Sequence, residues 1–185
     1  VSLSGRGIKV TPLAGPYVPM IDDKIISRVF DITMSGWRVE TGTAYSALLN
    51  VKDATTRFIK REEDLSTIIE IGDYVIVRIT NVTSQNLIDV TMKEPGLRKI
   101  EGGRIIKVNS SKVPRVIGKK ASMISLLKDK TGCQITVGQN GWVWIQGTPE
   151  GEWKAEQAIK YIAAKAHEEG LTEKMEAFLS DGVLE

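Results

Sequence analysis

Apolar residues along this chain change their period once, at Glu94-Pro95-Gly96, and a chain that switches period in this way has to build two separate cores. Before that point they alternate with polar residues in short runs: Ile25-Ile26-Ser27-Arg28-Val29-Phe30-Asp31-Ile32, Tyr74 to Val82, and Leu87 to Met92. Alternation at period two in segments rich in Val, Ile and Thr predicts strands. Ser35-Gly36, Gly42 and Gly72-Asp73 punctuate them, and several short strands at this spacing predict a small β-barrel. The stretch from Asn50 to Glu70 is less regular and mixes Lys52, Arg57, Lys60 and Arg61 with Glu62, Glu63 and Asp64. It reads as a long connection with one helical turn, the kind of segment that often carries function.

Beyond Pro95-Gly96, residues 99–108 read as a strand interrupted by Gly102-Gly103. Pro114 opens a short helix, where its missing N–H leaves no bond unmade. A second helix follows Gly118, with Met123, Ile124, Leu126 and Leu127 at helical spacing until Thr131-Gly132. Residues 134–137 and 142–145 are two more strands joined by Gly138-Gln139-Asn140-Gly141, whose Asn-Gly pair favours a tight hairpin turn. Trp153, Ala155, Ala158, Ile159, Ile162, Ala163 and Ala166 mark an amphipathic helix from Glu152 to about Glu168. A last helix runs from Thr172, a suitable N-cap, to near Gly182. The second unit is therefore β-α-α-β-β-α with one helix added.

Charge divides along the same line. Residues 1–95 carry 11 basic against 12 acidic side chains, whereas residues 98–130 carry ten basic ones against only Glu101 and Asp129. A polyanion partner fits that stretch, and so does a well-solvated helical surface. The single cysteine, Cys133, excludes an intramolecular disulfide, a four-cysteine zinc site and a CxxC redox pair, and it fits a reducing cytoplasm. No apolar run reaches the roughly 18 residues of a membrane span, and VSLSGRGIKV lacks the zones of a signal peptide.

The run Val113-Pro114-Arg115-Val116-Ile117-Gly118-Lys119-Lys120-Ala121, followed by Thr131-Gly132-Cys133-Gln134-Ile135, resembles the type I KH domain. In that family a Gly-x-x-Gly loop between two helices clamps a single-stranded backbone, because bare glycine lets phosphates reach amides at a helix N-terminus. The resemblance implies Arg115, Gly118, Lys119 and Lys120 as RNA contacts. Ala121 stands where the second glycine belongs, and its Cβ disfavours positive φ and close approach. A KH fold serving as scaffold or protein-docking surface is the alternative.

Residues 20–93 look like an S1 RNA-binding domain of the OB fold, on Ser35-Gly36-Trp37-Arg38-Val39 and Ile71-Gly72-Asp73-Tyr74-Val75. The positions where such domains stack bases read here as Ser35 and Arg38, with Leu48 and Leu49 beyond, while Trp37 and Tyr45 stand nearby. Stacking contributes about 1–3 kcal/mol per base, so its loss shifts the burden onto charge. Arg38, Lys52, Arg57, Lys60 and Arg61 are the expected backbone contacts. Their alternative is a solvated surface neutralised by Glu62 to Asp64.

An S1-like barrel followed directly by one KH domain closely resembles the archaeal exosome RNA-binding cap family over nearly the whole chain. It implies an all-β S1-type OB-fold barrel over 19–95 and an α+β type I KH domain with an extra C-terminal helix over 96–185, with 1–18 the tail of an N-terminal β domain. It further implies a non-catalytic subunit without cofactor or metal that binds single-stranded RNA. Three copies would cap a hexameric ring of RNase PH-like subunits and guide RNA into its 3′-to-5′ phosphorolytic pore. The competing reading is a stand-alone RNA-binding regulator of translation or transcription.

Catalytic readings are weak. His167 has no nucleophile to serve, and Cys133 reads as a small core residue. Asp22-Asp23 and Glu62-Glu63-Asp64 are adjacent acids without a second ligand set. Gly5-Arg6-Gly7 lacks the rest of a P-loop. Trp142, Trp144 and Trp153 read as core by their spacing.

Overall fold

The computed structural model describes residues 2–4, 7–9, 15–55, 64–166 and 170–181. At the start, β1 (Ser2–Ser4) and β2 (Gly7–Lys9) pair as an antiparallel hairpin. Five strands then close a barrel: β3 (Lys24–Thr33), β4 (Gly36–Glu40), β5 (Ser46–Asn50), β6 (Tyr74–Val82) and β7 (Ile88–Thr91). Their order is β3-β4-β5-β7-β6, β6 pairs back onto β3, and only β5–β7 is parallel. Ile25, Val29, Trp37, Val39, Leu49, Val75, Val77, Ile79 and Val90 fill the interior. The one buried indole N–H there, on Trp37, donates to Ile69 O at 2.9 Å, so the largest side chain in the barrel leaves no polar atom unpaired. Within the connection expected to hold one helical turn, α1 (Val51–Ala54) and a 3₁₀ turn at Leu65–Thr67 flank residues 56–63, which lie outside the described residues.

The second unit packs β9 (Arg104–Lys107), α2 (Val113–Ile117), α3 (Ser122–Thr131), β10 (Gln134–Val137), β11 (Trp142–Gln146), α4 (Pro149–Ala164) and α5 (Leu171–Asp181). The three strands form an antiparallel sheet with β11 in the centre. Val143 and Ile145 face the helices and join Val116, Leu127, Ile159, Ile162 and Met175 in the core. Cys133 is buried there as expected. Two expectations are corrected. The strand expected over 99–108 is two strands in different sheets: β8 (Lys99–Ile100) pairs with β6 of the barrel, and β9 belongs to the second unit. Gly102-Gly103, both at positive φ, turn the chain between them. Trp153, expected in the core, is 52% exposed on the outer face of α4, because one face of the helix is already filled by Ala155, Ala158, Ile159 and Ile162.

The opposite face of the β9–β11 sheet is covered by the barrel. Trp142 and Trp144 join Ile26, Ile76, Leu97 and Ile100 in a third apolar cluster. Ile26 and Ile76 are cross-strand partners on the barrel wall and point outward, so each of those strands buries both faces. The hairpin tip locks the contact. Asn140, buried, donates from Nδ2 to Ile26 O at 2.8 Å and to Thr41 O at 3.0 Å, while Gln139 N donates to Lys24 O at 2.8 Å. Two backbone acceptors on one side fix the amide orientation, since only the NH₂ group can serve both. A Cβ on Gly138 would lie 2.8 Å from Ile26 N, so only glycine admits this approach.

We expect Asn140→Ala to lower the unfolding free energy by about 2–4 kcal/mol in denaturant titration, because it strands two buried carbonyls; a loss under about 0.5 kcal/mol would mean that the tip is not a lock. A second expectation concerns acid. Lys160 (2.7 Å) and Arg104 (2.5 Å) hold the Glu156 carboxyl below the usual carboxylate range. A depressed pKa gives stability that is present above the unfolded pKa and lost as pH falls through the folded one. Between about pH 5 and 3 the unaltered chain should therefore lose stability faster than Glu156→Gln; equal slopes would show that the triad contributes nothing.

Candidate nucleic-acid interface

Helix α2 and helix α3 meet at Gly118-Lys119-Lys120-Ala121. Gly118 sits at φ 77°, and a Cβ there would lie 2.7 Å from Met123 N, so the first loop glycine is required. Lys120 (φ 50°) and Ala121 (φ 63°) are both left-handed. Alanine was expected to resist that conformation, and it adopts it nonetheless. The half-buried methyl of Ala121 packs against the core of this unit, which offsets part of the roughly 1–2 kcal/mol cost of left-handed backbone. The loop thus takes a glycine-like path with its methyl turned to the core, and the exposed side chains of Arg115, Lys119 and Lys120 surround it. Among the described residues none of these three has an ion-pair partner, so their field is open to an anion.

On the barrel, the pairing register lines up Asp31, Arg38, Leu48, Asp89 and Asn81 across five strands. Asn81 Nδ2 donates to Asp89 Oδ2 at 3.1 Å. Arg38, Leu48 and Asp89 line an open depression of about 190 Å³ together with Ser46, Leu87 and Ile88. Exposed Lys52 stands on α1, where the chain leaves β5 at the end of the barrel. Arg57, Lys60 and Arg61 lie outside the described residues, as does His167.

Two of the positions read from the sequence as stacking sites behave differently. Leu49 is buried inside the barrel with Trp37, while Leu48 lines the depression. The sequence reading missed Phe30. In β3, Ile25 and Val29 point inward and Phe30, 40% exposed, points outward as alternation requires; the β-bulge between Val29 and Asp31 then brings Ile32 against the core, so that Phe30 stands beside the row that begins at Asp31. Strict period-two counting puts Phe30 outside but cannot find the shift of register that sets it beside Asp31. Among the described residues no group of three or more His, Cys, Asp or Glu side chains is placed to hold a metal ion, and no helix is long and apolar enough to cross a membrane.

Residues 103–151 match the KH domain family. The chain is 38% identical over 181 residues to the exosome complex component Rrp4 of Thermoplasma volcanium, covering 98% of this chain and 76% of that one. It is 40% identical over 183 residues to the component of the same name from Pyrococcus furiosus, covering 97% of this chain and 69% of that one. A crystal structure of a protein assigned as an exosome complex RNA-binding protein superposes with a TM-score of 0.83 at 31% identity, covering 90% of this chain and 97% of that one.

The loop geometry sets a pair of expectations. Gly118→Ala should destabilise by about 1–3 kcal/mol, since the added carbon meets backbone at a positive φ. Ala121→Gly should stay within about 0.5 kcal/mol, relief of left-handed strain cancelling the lost methyl and the added chain entropy. Chemical denaturation of both variants tests the assignment; a large loss in Ala121→Gly would contradict a left-handed Ala121.

Proposed function

The chain belongs to the family of the archaeal exosome component Rrp4, and on that premise we propose that it is the non-catalytic RNA-binding cap subunit of an exosome, delivering single-stranded RNA to a degradative partner. The observation that carries this reading is the agreement over 98% of the chain, through both modules in one order, with a component of that complex. A stand-alone regulator would have no reason to preserve that whole arrangement.

Residues 19–95 then serve as the S1-type module and 96–185 as the KH module, with 1–18 belonging to an N-terminal β domain. Three copies cap a hexameric ring of RNase PH-like subunits in the cytoplasm. The chain's own part is electrostatic: cations around an opening raise local RNA concentration and track the strand without reading bases. On the barrel these are Arg38 and Lys52, continued by Arg57, Lys60 and Arg61 in the connection after α1. On the KH module they are Arg115, Lys119 and Lys120, with Gly118 letting the strand approach the loop backbone.

Native mass measurement after co-expression with ring subunits tests the assembly: a stable particle carrying three copies is expected, and a chain that remains alone would refute the cap reading. Salt titration of RNA affinity tests the charges. Each phosphate contact on a single strand contributes about 0.7 to the slope of log affinity against log salt. Lys119→Glu with Lys120→Glu, or Arg57→Glu with Lys60→Glu, should flatten that slope by about 1.4 if both cations of a pair contact phosphate. An unchanged slope would remove that pair from the interface, and the isolated chain should degrade no labelled RNA.

A further inference from the structure

Where the linker crosses from the barrel to the KH sheet, Arg98, Lys99, Glu101, Trp144 and Gln146 line a cleft of about 250 Å³. It lies on the sheet face opposite the KH helices, away from the Gly118 loop. Trp144 itself is only 2% exposed, and its Nε1 donates to Gly102 O at 2.9 Å, so the indole has no free face to offer. The exposed Arg98 guanidinium lies over that ring, 5.3 Å from its centroid, and its Nη2 reaches Gln134 Oε1 at 3.5 Å. A guanidinium that meets an aromatic ring on one side and is exposed on the other is open to a further planar partner, and guanidinium planes are stacking surfaces for unpaired bases.

The remaining wall groups favour a base over a phosphate. Lys99 Nζ is held by Asp73 at 2.6 Å, which neutralises it. Gln146 Nε2 donates to Glu101 O at 3.1 Å, which turns the amide so that Oε1 is its free acceptor. Glu101 also lines the cleft, with its carboxylate near enough to Lys99 to favour the charged ammonium, so the cleft offers acceptors beside one planar cation. A phosphate would meet that carboxylate, whereas a base edge can donate to it.

Resting on the RNA-binding reading above, we infer that this cleft at the module junction is a subsite for one unpaired RNA base, stacked on the outer plane of Arg98 and held at its edge by Gln146 and Glu101. The test uses the full chain, a short labelled single-stranded RNA, and the same strand with its bases removed. Arg98→Lys keeps the charge and loses the plane, so it should weaken binding of the ordinary strand at least about fivefold. It should leave the baseless strand and the salt slope unaltered. Gln146→Leu, with Arg98 untouched, should weaken binding of the ordinary strand about threefold.

Equal binding by Arg98→Lys and the unaltered chain, or the same loss with the baseless strand, would overturn the subsite and leave the proposed function standing. Failure of the unaltered chain to bind RNA at low salt would overturn both.

Discussion

The amide of Asn140 spans two modules. Its two N–H bonds end on carbonyls of the barrel, one on β3 and one just past β4, and the hairpin that carries it is the tip of the central KH strand. Without that tip the outward isoleucines Ile26 and Ile76 and the inner faces of Trp142 and Trp144 would be exposed together, a patch that water penalises at about 25 cal/mol per Å². Hydrogen bonds supply the register and the apolar cluster supplies the driving force. Two small domains thereby share a third core.

Rigidity matters for a protein whose work is to hold a strand. Side chains on two freely tethered modules would each pay separately for ordering the RNA, whereas modules fixed against each other present their cations in one arrangement. The Gly118 loop and the Arg38 depression lie on different units, and the tip of Asn140 is what fixes their relation. The same docking consumes the hairpin between β10 and β11, so the KH unit meets its ligands with that loop already engaged.

Much of the fold was legible in order and type of element. The alternation of β3 and β6 and the helical spacing of Met123, Ile124 and Leu127 follow from which face of each element must be dry, and that is written locally. The loop of Gly118, Lys119 and Lys120 was legible too, because a fixed spacing of glycine, cations and helix starts carries it. What the sequence reading could not reach was longer in range. Asn140-Gly141 looked like an ordinary turn, since nothing local distinguishes an asparagine that faces water from one that faces Ile26 O and Thr41 O. The bulge that sets Asp31 beside Phe30 was hidden, and Arg98 gained its place over Trp144 only when residues 46 positions apart were brought together.

From the sequence alone came two units, their class, their order and their family resemblance, because period, turn residues and charge act over a few neighbours. Tertiary structure alone decided that Ile26 and Ile76 are buried on both sides of their strands, that Trp153 is left outside, that Ala121 takes a left-handed backbone, and that a cleft opens beside Arg98. The physical reason is common to all four: burial and strain depend on what arrives from elsewhere in the chain, and a local pattern states only which side of an element avoids water, never what will cover it.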